Sequence, residues 1–392
     1  MTEDRGLGWL VAPVPVDAFL RDHWERNAMS VARNQPDRFA GLLTMDDIDG
    51  VLTGGRLRGD DLQMTNAARA VTPQAYLYPS GVVDPVRLFQ EYADGSTIIL
   101  PQLHERLPRL AGLCRALERE VGARFQTNIY LTPGNAQGFK RHYDNHDVFV
   151  LQVAGRKHWR LYDAPVELPM QGQGFKPEAH PEGPVTAAFT LAPGDTAYVP
   201  RGLMHDAESD GAPSLHITLG VLPRTWHDLF FEALAAVSLQ EPALRRGLPP
   251  GFVRAGFDRG AARATFADLA DRIRAAMDFD AALDRFADEI VGTRQPLLWG
   301  QLDQVRRLAD LAVDNVVSAR PDLVTRIERR DDDVTVHCYG NAVALPAHAA
   351  DALLAILDGP PCRIADLPGP LDAEGRLVLV RRLVREGLAV VQ

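Results

Sequence analysis

Between residues 124 and 222 the chain is a succession of short apolar runs, broken at close intervals by LTPGN, DAPVELP, LAPGD and PRG. Proline lacks a ladder N–H and glycine favours turns, so this punctuation separates strands and leaves no room for long helices. The segment reads as the β-rich heart of the molecule. Ahead of it, residues 1 to about 120 mix short helical patterns with Gly/Pro turns, and LPRLAGLCRALEREVG at 107–122 spaces leucine and alanine as a helix does. Behind it, Thr225 to Leu311 is rich in Ala, Leu, Arg and Asp with a 3.6-residue period, as in FADLADRIRAAM, which predicts a helical bundle. From 316 onward strand-like VTVHCYG precedes helical AADALLAILDG and LVLVRRLVREG, and the chain finishes on LAVVQ, an order suited to a small winged-helix-like domain. The expected architecture is α+β, divided at 1–222, 223–315 and 316–392.

Composition narrows the function. At 392 residues the chain suits two or three domains, and with 46% hydrophobic and 24% charged residues it is not a disordered chain. The net charge is −10 and no like-charge block exceeds Asp331-Asp332-Asp333, so the basic footprint of a nucleic-acid binder is missing. The stretch from 316 has no lysine and slightly more acids than arginines, and no DNA affinity is expected of it at physiological salt. Cys114, Cys338 and Cys362 are far apart and lack CxxC spacing, which suggests neither a disulfide framework nor a thiolate zinc site and fits a reducing cytoplasm. MTEDRGLGWL has acids where a signal peptide would be basic, and no apolar run approaches membrane-spanning length, so neither secretion nor insertion is expected.

The chemistry concentrates in GFKRHYDNHDVFVLQVAGRKHWRLYD, residues 138 to 163. Read as a strand, it places His142 and Asp144 two apart and therefore on one face. A third ligand must come from another strand, and YVPRGLMHDA offers His205 after the turn in LAPGD. Two histidines and one carboxylate with open positions suit a non-haem Fe(II) oxygenase, but the same set also serves catalytic zinc. Past Gly155, Lys157, Trp159 and Leu161 share one face while Arg156, His158 and Arg160 share the other, so Lys157 points inward. A buried ammonium needs an anion, supplied either by an unidentified protein acid or by a dicarboxylate ligand. NIYLT and SLHITLG add one-sided polar rows, Asn128, Tyr130 and Thr132 on one strand and Ser214, His216 and Thr218 on the other.

NIYLTPGNAQGF, HYDNHDVFVLQVAGRKHWRLY, GDTAYVPRGLMHDAES and SLHITLG together resemble the JmjC-type cupin family that includes the ribosomal oxygenases. The resemblance runs continuously over roughly residues 10 to 222 and extends weakly into the segments that follow. It implies a double-stranded β-helix, Fe(II) held by His142, Asp144 and His205, and O2 and 2-oxoglutarate as cosubstrates. The far carboxylate of 2-oxoglutarate would be bound by Lys157 with help from Tyr130. Asn128 matches the position beside the cosubstrate, and Ser214 is a looser correspondence. The resemblance also implies hydroxylation of a protein or peptide side chain, a ribosomal protein among the candidates, and a homodimer formed through the helical segment. Asn145-His146-Asp147 and Lys140-Arg141 depart from the best-known members, which leaves the substrate open.

The remaining polar residues have plainer readings. His146 and Asp147 are expected beside the metal or on the substrate side, His158 and His180 in solvent, and the Asp331 to Asp333 run in a turn between strands. His216 either lines the pocket or is a satisfied core histidine. Two other functions stay open: the same chemistry on a small metabolite or natural-product peptide, and a non-catalytic metal-binding cupin or winged-helix regulator.

Overall fold

A computed structural model describes residues 5–180 and 183–392. Among the described residues, ten strands precede residue 223: β1 (Met29–Val31), β2 (Gln63–Thr65), β3 (Thr97–Pro101), β4 (Arg124–Thr132), β5 (Asp147–Ala154), β6 (Lys157–Leu161), β7 (Ala187–Leu191), β8 (Thr196–Val199), β9 (His205–Ser209) and β10 (Ser214–Leu222). They form a seven-stranded sheet ordered β1-β8-β5-β10-β4-β3-β2 and a three-stranded sheet ordered β7-β6-β9, antiparallel throughout.

The apolar run VFVLQVA is continuous because β5 is covered on both faces. Phe149 and Leu151 turn to a core shared with Leu110, Leu113 and Leu117 of the helix Pro108–Val121 and with Phe19 of the N-terminal zone. Val148 and Val150 turn the other way, onto Leu161 and Trp159 of β6. That helix has Pro108 at its first turn and ends on Gly122 at a φ of 68°, the left-handed position where a side chain would be strained. On β10, Leu215, Ile217 and Leu219 likewise join the helix-covered core, which leaves His216 and Thr218 facing the smaller sheet.

One expectation needs correction. The segment carrying His142 and Asp144 is not a strand: β5 begins at Asp147, and His142 makes only an isolated bridge to His205. Glycine, proline and polar residues dominate 133–146, so little apolar surface is available to stabilise a paired strand there. The alternation past Gly155 holds on β6, where Lys157, Trp159 and Leu161 are buried and His158 is exposed.

Beyond residue 222 come the helices Trp226–Gln240, Gly260–Ala276, Phe279–Gly292 and Gln301–Arg307, a hairpin-linked sheet of β12 (Arg326–Arg329), β13 (Asp333–Cys338) and β14 (Asn341–Pro346), and a second small sheet of β11 (Val316–Ala319), β15 (Cys362–Arg363) and β16 (Ala389–Val391). The chain resolves into two compact units that are not consecutive in sequence: 1–222 with 296–323 and 352–392, and 223–295 with 324–351. Asp331 and Asp332 are exposed in the turn between β12 and β13.

Candidate metal centre and polar cavity

Two irregular segments meet where His142 bridges to His205. His142 N–H donates to His205 O at 3.1 Å, and His205 N–H donates to His142 O at 2.8 Å, so the two histidines are locked side by side through their backbones. Gly202 N–H donates to Asp144 O at 2.9 Å. Gly202 has a φ of 85°, and a Cβ there would fall 2.1 Å from Val166 O, so this approach is open only to glycine.

The side chains fit a metal ion. Both rings have Nδ1 against a backbone carbonyl two residues back, His142 on Lys140 O at 2.9 Å and His205 on Leu203 O at 3.0 Å. A carbonyl accepts only, so Nδ1 carries the hydrogen and Nε2 keeps a free lone pair, the arrangement that orients metal-bound imidazoles. His142 Nε2 lies 3.9 Å and His205 Nε2 3.6 Å from the Asp144 carboxylate, and one ligand atom from each of the three residues falls within 4.8 Å of the others. Burial, with His142 nearby, pushes His205 below the usual imidazole range. Burial alone would raise Asp144, but His142 and His205 hold its carboxyl below the ordinary carboxylate value.

A cavity opens inward from this cluster, lined by Tyr130, Lys157, Trp159, His216 and Thr218 among others. Lys157 is 4% exposed, and its Nζ donates to Thr132 Oγ1 at 3.1 Å, which accepts in turn from Thr97 Oγ1 at 3.1 Å. Among the described residues no carboxylate forms an ion pair with it, so the protein acid that the sequence left open is not found. Burial pulls the ammonium down to about 7. His216 stacks flat on Tyr130 at 4.8 Å, and burial, with Lys157 nearby, holds it well below the usual imidazole range. His216 Nδ1 and Trp159 Nε1 are buried without a hydrogen-bond partner, an expensive state for polar atoms unless something polar enters the cavity.

The expected cosubstrate residues separate into two groups. Tyr130 and Lys157 line the cavity; Asn128 and Ser214 do not. Asn128 Oδ1 accepts from Gln102 N–H at 3.3 Å, and Ser214 is buried beneath Gln152, whose Nε2 donates to it at 2.9 Å. Ser214 and Asn128 stand at opposite ends of the paired rows whose middle pair is His216 and Tyr130. Thr97 and Trp159 complete the polar lining, and of these only Trp159 had been placed inward by alternation. His146 is not in the cluster; its ring lies against the bare Cα of Gly220. His180, expected in solvent, is half-buried and stacks on Phe175 at 5.6 Å.

The JmjC domain family model matches residues 102–229. Ribosomal oxygenase 1 of Rattus norvegicus is 37% identical over 260 residues, covering 62% of this chain and 42% of that protein. The bifunctional lysine-specific demethylase and histidyl-hydroxylase NO66 of Drosophila erecta is 36% identical over 259 residues, covering 62% and 38%. The chain thus spans less than half the length of these relatives. In fold, the structure of YcfD, a ribosomal oxygenase from Escherichia coli in complex with cobalt and 2-oxoglutarate, superposes with a TM-score of 0.55 at 15% identity over 97% of this chain and 99% of that one. Residues 102–229 thus match the JmjC domain, and the chain is similar to ribosomal oxygenases over part of their length.

Proposed function

We propose that this protein is an Fe(II)- and 2-oxoglutarate-dependent oxygenase that hydroxylates an amino-acid side chain of a protein or peptide. The observation that carries the reading is a buried lysine that has no carboxylate partner among the described residues and shares its cavity with a His-Asp-His cluster. Nε2 of His142, Nε2 of His205 and an Asp144 carboxylate oxygen would hold the iron. Lys157, with the Tyr130 hydroxyl, would take the far carboxylate of 2-oxoglutarate. Bound iron supplies oxygen activation coupled to decarboxylation of 2-oxoglutarate. The protein contributes orientation and dryness: the imidazole hydrogens stay on backbone carbonyls, Lys157 neutralises a charge that the barrel has removed from water, and the apolar walls Val148 and Val150 exclude solvent.

A polypeptide substrate is favoured over a metabolite by a wide groove of about 610 Å³ beside the cluster, lined by Gln137, Lys140, Arg141, Tyr162 and Phe175 and sharing Phe139, His142 and Asp206 with the cavity. The relatives' names point to ribosomal proteins as the first candidates. Incubating the protein with Fe(II), 2-oxoglutarate and a lysate digest should yield peptides heavier by one oxygen. Their absence, with uncoupled 2-oxoglutarate turnover also absent, would refute the reading.

The same proposal includes the division 1–222, 223–315 and 316–392, with a helical and a winged-helix-like part after the barrel, a cytoplasmic location and a homodimer. Support for the dimer lies in the helices after residue 222. No residue of the Gly260–Ala276 helix is buried, and Trp226, Phe230, Phe231 and Phe266 are each more than half exposed. Apolar faces of this kind are normally covered, and twofold pairing is the commonest way. Light scattering at micromolar concentration is expected to give twice the chain mass of 43.1 kDa; a monomer mass would refute the dimer.

A further inference from the structure

Asp147 stands three residues beyond Asp144 and was expected beside the metal or on the substrate side. It is fully buried and turned away from the cluster. Its Oδ2 accepts from an Arg201 guanidinium nitrogen at 2.6 Å, and its Oδ1 accepts from the Arg201 backbone N–H at 3.1 Å and from the Tyr198 hydroxyl at 3.1 Å. The same guanidinium nitrogen reaches Glu25 at 2.7 Å, and the Tyr198 hydroxyl accepts from Glu25 N–H at 2.9 Å. One carboxylate is therefore tied to the 198–201 segment at three points.

The position of these bonds in the chain matters more than their number. Residues 142–147 carry His142 and Asp144, and residues 198–205 lead to His205. The two segments run side by side, joined at one end by the reciprocal His142–His205 bridge, in the middle by Gly202 N–H to Asp144 O, and at the other end by Asp147 and Arg201. Asp144 itself lies in irregular backbone without ladder pairing, so its location relative to His205 depends on these ties. A buried ion pair adds little net stability over apolar side chains of similar size, but its directional bonds fix geometry.

We propose that the Asp147–Arg201 pair is a positioning clamp for the metal centre, setting where the Asp144 carboxylate stands against the two imidazoles. The inference rests on the proposed metal site. Its test is Co(II) binding by calorimetry and the visible Co(II) spectrum, alongside thermal unfolding of the metal-free protein, for Asp147→Asn and for the double variant Asp147→Leu/Arg201→Met. Asp147→Asn should bind Co(II) roughly 10- to 100-fold more weakly, the range for groups that orient metal ligands, with a shifted spectrum. The apolar double variant should unfold near the wild-type temperature and still show the weakened binding, which separates positioning from stability. Should both variants lose cooperative unfolding, Arg201→Lys, which keeps the charge but not the planar fork, decides on the same two readouts. Wild-type Co(II) affinity and spectrum in a folded variant would overturn the clamp. A wild-type protein that takes up no Co(II) would instead refute the metal centre.

Discussion

Asp144→Ala is expected to abolish turnover and to strip the protein of stoichiometric metal. Asp144 is the only acid in the three-residue cluster, and without it two neutral imidazoles remain to hold a dication. Losing a residue that merely orients a ligand costs roughly 10–100-fold in metal affinity, and losing the anionic ligand itself should cost at least the upper end of that range. The fold should persist, because Asp144 is half-buried and its backbone carbonyl, which accepts from Gly202, survives the substitution. Metal content after gel filtration, measured beside 2-oxoglutarate turnover, tests this. A His142→Ala/Asp144→Ala double variant that still carries one metal per chain would place the site elsewhere.

Lys157→Met should leave metal binding intact and lower 2-oxoglutarate affinity on the order of a hundredfold. Removing one partner of a buried charge pair costs roughly 2–5 kcal/mol, and about 1.4 kcal/mol corresponds to a factor of ten. Methionine retains most of the packing and gives up only the contact to Thr132. The lysine also predicts a pH signature. Burial depresses its folded-state value from 10.5 to about 7, so the unfolded chain holds the extra proton between those limits and the metal-free, cosubstrate-free protein gains stability as pH rises through that window. A bound dicarboxylate restores the charge, so binding at pH 8 should take up close to one proton per chain in the wild type and none in Lys157→Met. Calorimetry in two buffers of different ionisation enthalpy reads this uptake. Unchanged cosubstrate affinity in the variant would mean that Lys157 serves the fold alone, and the case for an oxygenase over a metal-binding cupin would lose its main support.

Both experiments address residues that the sequence had singled out, and the reason differs between them. Lys157 was legible because β6 is a regular strand buried on one face: a period of two decides which side each residue takes, and the alternation of Lys157, Trp159 and Leu161 survives in the structure. His142 and Asp144 do lie together with His205, but not through the strand geometry expected of them. Their backbone is irregular, and they meet His205 through one isolated bridge that no strand periodicity could announce. Asn128 and Ser214 share rows with Tyr130 and His216 but do not line the cavity, and which residues of a row reach it depends on where the cavity closes.

The sequence by itself determined which residues turn inward on each regular strand and which segments become helices, because both follow from local periodicity, turn residues and caps. It also carried the chemical inventory: two histidines, one acid and one inward lysine. Tertiary structure alone decided what those groups meet. Lys157 has no acid beside it among the described residues, Asp147 spends its charge on Arg201 although 54 positions separate them, and residues 324–351 join the compact unit of 223–295 while the chain on either side returns to the barrel unit. Partners of this kind are set by packing between elements remote in the chain, where ion pairs and desolvation depend on three-dimensional distance, and no local pattern encodes that distance.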